Sequence, residues 1–151
     1  MAQLSSGIKV TRVLSAVAAG TTTQTSTAID MAGFQGVRFI VALGVGSASS
    51  VGQVKATQAD TAAGSPVAFT DIAGSGGTVF TPTTDDNKVW ILDIYRPTRR
   101  YVKCVVIRSA GNTVIDSVIA EQYGARVQPK VDDTTTVLGR TLLVSPADGT
   151  A

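Results

Sequence analysis

The absence of histidine limits the chemistry that this chain could perform. Without an imidazole there is no Ser-His-Asp or Cys-His pair, no histidine general base and no histidine metal ligand. Glu121 is the only glutamate, so paired-carboxylate chemistry would have to use the aspartates. Most of these aspartates lie in turn-like contexts. The sequence therefore predicts no enzyme, no catalytic residues and no cofactor.

Three polar stretches are candidate ligand sites. Residues 85–87 (Asp-Asp-Asn) and 132–133 (Asp-Asp) could offer oxygen ligands to a hard cation such as calcium, but neither has the spacing of an EF-hand loop. Asp and Asn form turns readily, and we favour that role. Residues 74–77 (Gly-Ser-Gly-Gly) lack the Lys-Ser/Thr pair and the following helix of a phosphate loop. No metal site is predicted.

The strongest charge signal is a run of basic residues without an intervening acid. Five of them fall within thirteen positions: Arg96, Arg99, Arg100, Lys103 and Arg108. They could simply keep an exposed turn soluble. Alternatively, their side chains could dock on acidic groups or phosphate, because guanidinium binds carboxylates in a bidentate manner. Tyr95 and Tyr101 flank the turn and are either interface anchors or packing residues.

This basic turn lies inside the stretch that we expect to form the core, residues 88–108. Residues 89–95 are rich in aromatic and β-branched side chains, which favour a strand. Pro97 cannot sit inside a central strand, and residues 101–107 resume the apolar pattern. The stretch predicts a hairpin. Cys104 alternates with Val102 and Val106 on one face, which predicts a buried and unreactive thiol.

The remaining apolar runs also have the length and period of strands. We predict strands at residues 8–14, 25–30, 37–43, 51–60, 67–72 and 78–81. Residues 113–121 could form a strand or a short helix, and their β-branched content favours the strand. About eight short strands separated by turns predict an all-β fold, a β-sandwich of the jelly-roll type.

Composition supports one globular domain. The 151 residues are 44% hydrophobic and 16% charged, which argues against disorder. A net charge of +2 gives no reason to expect nucleic-acid binding. No apolar stretch reaches the roughly 18 residues of a membrane span, and the N-terminal residues lack the pattern of a signal peptide. The single cysteine is consistent with assembly in a reducing cytoplasm.

The character of the sequence changes after residue 123. Pro129, Gly139 and Pro146 interrupt regular structure, yet large apolar side chains recur: Val127, Val131, Val137, Leu142, Leu143 and Val144. A free tail would leave these side chains in water, at a cost in transfer free energy. We therefore predict a sandwich domain at residues 1–123 and an extended C-terminal arm at residues 124–151. The arm could lie on its own sandwich, but we favour docking on a sister subunit and on a larger assembly.

Three stretches resemble a known family. They are residues 28–39 (AIDMAGFQGVRF), residues 85–102 (DDNKVWILDIYRPTRRYV) and residues 145–151 (SPADGTA). Together they are similar to small virion proteins encoded near the major capsid gene of tailed bacteriophages. The resemblance implies a capsid decoration or cement protein, some of which are jelly rolls that clamp neighbouring capsid subunits.

The same resemblance implies the partners and the location of the protein. The partners would be the major capsid protein and other copies of the chain, with a homodimer favoured and a homotrimer possible. The protein would be assembled in the host cytoplasm and would lie on the capsid surface of the virion. The predicted contact residues are Arg96, Arg99, Arg100, Tyr95, Tyr101, Val127, Val131, Val137, Leu142 and Leu143.

Two other functions are compatible with parts of the sequence. A head–tail joining or tail protein would also be a phage structural protein, and a stable ring in solution would favour it. A carbohydrate-binding sandwich would use exposed aromatic residues beside Asp and Asn in loops. The only Trp and the three Tyr lie mostly in predicted strands, which speaks against that function.

Overall fold

Ten β-strands make up the regular structure of the described residues. The computed structural model describes residues 7–62, 68–77, 79–81, 84–128 and 130–141. The strands are β1 (Lys9–Leu14), β2 (Val17–Gly20), β3 (Gln24–Thr25), β4 (Ile29–Asp30), β5 (Gly36–Gly46), β6 (Val51–Ala59), β7 (Thr70–Asp71), β8 (Val89–Tyr95), β9 (Tyr101–Ser109) and β10 (Thr113–Tyr123). None of the described residues forms a helix long and apolar enough to cross a bilayer.

The strands form two antiparallel sheets that face each other. Sheet A has the order β1-β10-β5-β8, with β2 also paired to β10. Sheet B has the order β3-β9-β6-β7, with β4 also paired to β9. The predictions of an all-β fold and of a β-sandwich are confirmed.

Alternation of apolar residues explains the core. In β5, Val37, Phe39, Val41 and Leu43 all point inward and are buried. The opposing sheet supplies buried residues at alternate positions of β9 and β6, namely Val102, Cys104, Val106, Val54 and Ala56. Because successive strand residues face opposite sides, the two inner faces make one continuous apolar layer between the sheets.

Residues 113–121 lie within a strand, as their β-branched content predicted. An irregularity in the pairing of this strand decides which of its apolar side chains face the core. The pairing of β10 with β5 shifts register between Ile115 and Ser117. This irregularity lets Ile115 and Val118, three positions apart, both face the core. Ile119 then faces outward, where a straight two-residue period from Ile115 would have placed it inside.

Several short strands were predicted with the wrong extent. The predicted strand at residues 25–30 is two separate two-residue strands, β3 and β4, and β2 was not predicted. At residues 67–72 only Thr70 and Asp71 form a strand among the described positions, and at residues 78–81 only Phe80 forms a bridge, with Gly52. A side chain at position 52 would meet the Phe80 ring at 2.0 Å. Phe80 is thus held by two backbone hydrogen bonds to Gly52, at 2.9 and 3.2 Å, and by close packing of its ring on that glycine.

The hairpin predicted at residues 88–108 is wrong. β8 pairs with β5 in sheet A, whereas β9 pairs with β6 in sheet B. Residues 96–100 therefore carry the chain from one sheet to the other. Arg96 adopts a left-handed φ of 51°, and Pro97 has no N–H to continue a ladder. The chain consequently leaves sheet A at this point instead of folding back beside β8.

The chain after β10 returns to cover one edge of sheet A. The carboxylate of Asp132 accepts a hydrogen bond from the backbone N–H of Val10 at 2.7 Å. The hydroxyl of Thr136 accepts one from the N–H of Arg12 at 3.1 Å. The N–H of Asp133 donates to the carbonyl of Val10 at 3.3 Å. These groups satisfy backbone atoms on the outer edge of β1.

A buried arginine ties the two sheets together. Arg108 lies on β9 and is only 4% exposed. Its guanidinium donates to the carbonyls of Thr22 at 2.8 Å, Ala18 at 3.0 Å and Thr113 at 2.6 Å. Burial lowers the pKa of this group, although arginine stays charged in proteins. The three carbonyls belong to sheet A and to the crossing from β2 to β3, so one side chain bridges both layers.

Replacing Arg108 should therefore destabilise the fold. We expect Arg108→Met to lower the free energy of unfolding by about 2–4 kcal/mol, because three carbonyls, of which that of Thr113 is buried, lose a charged donor. The matched control is Arg12→Met, on an exposed side chain, which should change it by less than about 0.5 kcal/mol. Urea unfolding followed by Trp90 fluorescence measures both. Equal stability of the two variants would contradict the bridging role.

A basic groove as candidate binding site

The crossing at residues 96–100 forms one wall of an open groove. The opposite wall is the loop at residues 31–35, between β4 and β5, and Arg126 completes the lining. The groove has a volume of about 820 Å³. Three segments that are distant in sequence thus meet at one end of the sandwich.

A glutamine on β6 holds the crossing in place. The backbone N–H groups of Thr98 and Arg99 donate to Oε1 of Gln58 at 3.1 and 3.3 Å. Nε2 of Gln58 donates to the hydroxyl of Thr98 at 2.8 Å. On the side of sheet A, the N–H of Arg96 donates to the carbonyl of Gln35 at 2.7 Å. The turn is therefore anchored to both sheets, which fixes the starting points of its arginine side chains.

The four arginines of the groove differ in their partners. Arg100 forms a bidentate pair with Asp30, at 2.9 and 2.8 Å. Arg99 approaches Asp60 only at 3.9 Å. Arg96 and Arg126 form no ion pair within the described part of the chain. Two guanidinium groups, and largely a third, therefore remain available to an external anion.

Aromatic rings orient several of the cations. The guanidinium of Arg96 lies 5.2 Å from the ring centroid of Tyr95, and that of Arg100 lies 5.2 Å from the ring centroid of Tyr101. Nζ of Lys130 lies 5.0 Å from the ring centroid of Phe34. Such stacking favours the extended rotamers of long cationic side chains and adds modest attraction. It leaves the donor N–H groups of Arg96 free to bind oxygen, whereas those of Arg100 are bound to Asp30.

The two tyrosines proposed as anchors have different settings. Tyr95 lies on the outer face of sheet A and is exposed, opposite Gly36. Tyr101 starts β9, is half-buried, and pairs with Ala59 and Asp30. Because they lie in different sheets, they are not a cross-strand pair. Tyr95 is presented to solvent beside the groove, whereas Tyr101 is partly buried in sheet B and is not part of the groove lining.

The described part of the arm contacts its own sandwich, and its docking on a sister subunit or a larger assembly stays a prediction. It lies against its own β1 edge through polar groups, and the apolar side chains of Val127 and Val131 point into solvent. Val137 is partly buried. Leu142 and Leu143 lie outside the described residues. The polar residues of the arm thus hold it on β1, and the side chains of Val127 and Val131 remain exposed.

The acidic stretches serve the backbone. Asp85 accepts a hydrogen bond from the N–H of Thr81 at 2.8 Å, and Asp86 accepts one from the N–H of Gly46 at 2.8 Å. Asp133 accepts one from the N–H of Thr135 at 3.0 Å. Within the described residues, no three acidic or thiol side chains converge as a metal site would require.

Cys104 has the setting of an unreactive thiol. Its side chain is buried between the sheets. Burial raises the pKa of the thiol to about 12, so the nucleophilic thiolate is scarce at neutral pH. The sequence interpretation of this residue agrees with its burial.

Sequence reasoning missed Arg126 and Gln58. The three arginines of the turn were found because they are close in sequence. Arg126 comes just after β10, where Gly124 adopts a left-handed φ of 64°. Its N–H donates to the carbonyl of Gly33 at 3.0 Å, which brings it to the groove. A glycine after a long strand indicates a turn, but nothing in the sequence shows that the chain after the turn packs against the loop at residues 31–35.

Comparison of the sequence with protein families and with curated proteins finds no match.

The pair between Asp30 and Arg100 makes a testable contribution to stability. The hydrogen bond from Arg100, and after it the one from the Ala32 N–H, hold the pKa of Asp30 below its usual value, against the opposing effect of burial. Since the folded pKa is depressed, the stabilisation is present above the unfolded pKa of about 3.9 and is lost as pH falls through the folded value.

Asp30→Asn should therefore unfold at lower urea than the parent at pH 7. The difference should shrink as pH is lowered from about 5 to about 2, because the parent then loses the same charge. Asp116→Asn is the control, since Asp116 is exposed and forms no hydrogen bond in the described part of the chain. A difference between parent and Asp30→Asn that stays constant with pH would contradict the ion-pair explanation.

Proposed function

We propose that this chain is a decoration protein of a tailed-bacteriophage head, which binds the major capsid protein and bridges neighbouring subunits. The proposal is supported by the resemblance of three stretches to small virion proteins. The observation that carries the binding mode is the basic groove, where Arg96 and Arg126 have no carboxylate partner among the described residues. Its partner would be an acidic surface of the capsid shell.

The chemistry of the groove suits carboxylates. Guanidinium groups form planar, bidentate contacts with carboxylates. Three of them converge from two walls on one open volume, so an acidic strand or loop could be gripped from both sides. Phe34 and Pro97 add apolar surface beside the charges. Exposed tyrosine such as Tyr95 is a residue type enriched at interface hot spots.

The mechanism we propose is binding without chemical turnover. Each copy would add a modest contact energy to a shell, and many copies would add up through multivalency. The sandwich would act as a rigid spacer between subunits. At one end Arg108 holds the crossing from β2 to β3, and at the other end Gln58 holds the crossing at residues 96–100. The exposed valines of the arm, Val127 and Val131, would extend the contact area beyond the groove.

The assignment of the sandwich as a jelly roll belongs to this proposal. The chain repeatedly crosses between sheets, and the eight strands on the two sheet paths fall into groups of four, β1-β10-β5-β8 and β3-β9-β6-β7, with β2 and β4 paired beside them. That number and division fit the two Greek keys of a jelly roll. The strand order supports the family resemblance without depending on it.

The groove can be tested on capsids of the phage that encodes the chain. We expect the triple variant Arg96→Ser, Arg99→Ser and Arg126→Ser to bind heads at least about tenfold more weakly, with a flatter salt dependence. Arg100 is left intact because it holds Asp30. Co-sedimentation with heads that lack the native protein, across salt concentrations, measures copy number. Circular dichroism should show an unchanged fold, since exposed charges contribute about 0–1 kcal/mol each.

A control with the same change of charge separates the groove from net charge. Arg12→Ser, Lys55→Ser and Lys88→Ser lie elsewhere on the surface and should leave binding near the parent level. Excess double-stranded DNA should not compete, because the proposed partner is protein. Normal binding of the groove variant at every salt concentration would reduce the groove to a solubility feature. Absence of parent protein from intact heads would refute the capsid function itself.

A further inference from the structure

β8 ends sheet A with an edge that meets no hydrogen-bonding partner in the described residues. It pairs with β5 over seven consecutive positions without a register shift, from Val89–Ala42 to Tyr95–Gly36. An edge strand of this kind presents unpaired N–H and C=O groups that can template another strand.

The register shows which backbone groups are unpaired. The N–H of Leu43 donates to the carbonyl of Lys88 at 2.9 Å, and the N–H of Arg96 donates to that of Gln35 at 2.7 Å. In an antiparallel ladder the hydrogen-bonded pairs alternate. The even-numbered residues of β8 therefore bond to β5, and the backbone groups of residues 89, 91, 93 and 95 point to the free edge.

The side chains of the same four residues lie on the outer face of the sheet. Val89, Ile91 and Tyr95 are 59%, 55% and 58% exposed. Ile91 continues an apolar row across the sheet, since Ile119 pairs with Ile40 and Ile40 with Ile91. Large apolar side chains beside an open ladder indicate a contact surface rather than a solvated edge.

Natural sheets usually protect such edges, and this chain protects the other one. The edge of β1 is covered by Asp132, Asp133 and Thr136. β8 has none of the usual defences, because residues 89–95 contain no lysine, no proline and no bulge. Its one charge, Asp93, lies opposite Arg38 and accepts a hydrogen bond from the hydroxyl of Tyr123 at 2.6 Å.

We propose that β8 pairs in antiparallel fashion with β8 of a second copy, so that sheet A runs through both subunits. The inference gives a surface for the homodimer that the sequence resemblance favours. The β8 edge is a feature of the chain alone. The pairing can therefore be tested on the purified protein, and its failure would not bear on capsid binding.

The sequence of β8 selects one register for this pairing. A two-fold axis at Leu92 uses all seven residues, with Ile91 opposite the partner's Asp93 and Val89 opposite the partner's Tyr95. All four edge-facing residues then join hydrogen-bonded pairs. The two Val–Tyr contacts are of the aromatic and β-branched kind that stabilises neighbouring strands.

Other registers are less favourable. An axis at Asp93 would set two carboxylates opposite each other, which is destabilising. An axis at Ile91 would bring Asn87 into the ladder, where its φ of 58° does not fit a strand. The Leu92 register does face Lys88 with the partner's Arg96, but each cation already has a contact, with Asp85 and the Tyr95 ring respectively.

A proline at position 91 tests the edge directly. Ile91→Pro removes an N–H that the subunit itself does not use, which edge strands tolerate. The parent should have the mass of two chains in analytical ultracentrifugation. Ile91→Pro should raise the dimer dissociation constant at least about tenfold. Ile91→Thr, which keeps the N–H and the β-branched shape, should remain a dimer. A monomeric parent, or a proline variant that dimerises normally, would overturn the proposal.

Cysteine cross-linking tests the register and does not depend on the proline variant folding. A mixture of Val89→Cys and Tyr95→Cys proteins should form disulfide-linked heterodimers, whereas neither protein alone should cross-link, because equivalent positions lie too far apart for a disulfide. Buried Cys104 should not interfere. Self-linking of Ile91→Cys would instead reveal the Ile91 axis and refute the proposed register.

Hydrogen exchange distinguishes pairing between copies from coverage by the same chain. The amides of Ile91 and Asp93 should be protected in the parent dimer and should exchange rapidly in parent protein diluted until it is monomeric. Protection that persists in the monomer would mean that another part of the same chain covers β8, and this outcome would overturn the proposal.

Discussion

The buried guanidinium of Arg108 is the contact on which the sandwich most depends. Removing a cation from water is costly, and it is tolerated only where donors are satisfied. Here three backbone carbonyls from sheet A and the β2–β3 crossing accept its hydrogen bonds. The apolar layer holds the sheets face to face without setting their relative position precisely, whereas a fork of directed bonds does set it.

Arg108 and the basic groove lie at opposite ends of β9, which runs from Tyr101 to Ser109. One end is closed by a cation turned inward, and the other end is open with cations turned outward. The same residue type has opposite roles because of its neighbours. Arg108 donates to carbonyls inside the sandwich. Arg96 and Arg99 lie after β8, where the chain has left sheet A and is exposed to solvent. Sequence proximity grouped these arginines together, and the fold separates them.

The sequence predicts where the long strands lie but not which strands pair with each other. Alternation located the long strands, because burial of one face imposes a period of two on the chain. It could not choose their partners, since residues 96–100 suit a hairpin and a crossing equally well. β5 and β6 decide the matter by pairing with β8 and β9 over seven and nine positions. The sequence predicted only part of the groove. Arg126 and Gln58 reach it through tertiary contacts, which the sequence pattern does not show.

The protected edge of β1 has a consequence for assembly. A sheet with one open edge can pair with only one other sheet, so association stops at a dimer. A sheet with two open edges can pair on both sides and can add subunits without limit, as open filaments do. Asp132 and Thr136 occupy the N–H groups of Val10 and Arg12. These two short side chains leave β8 as the open edge of sheet A among the described residues, so the proposed β8 pairing would close this sheet at two copies.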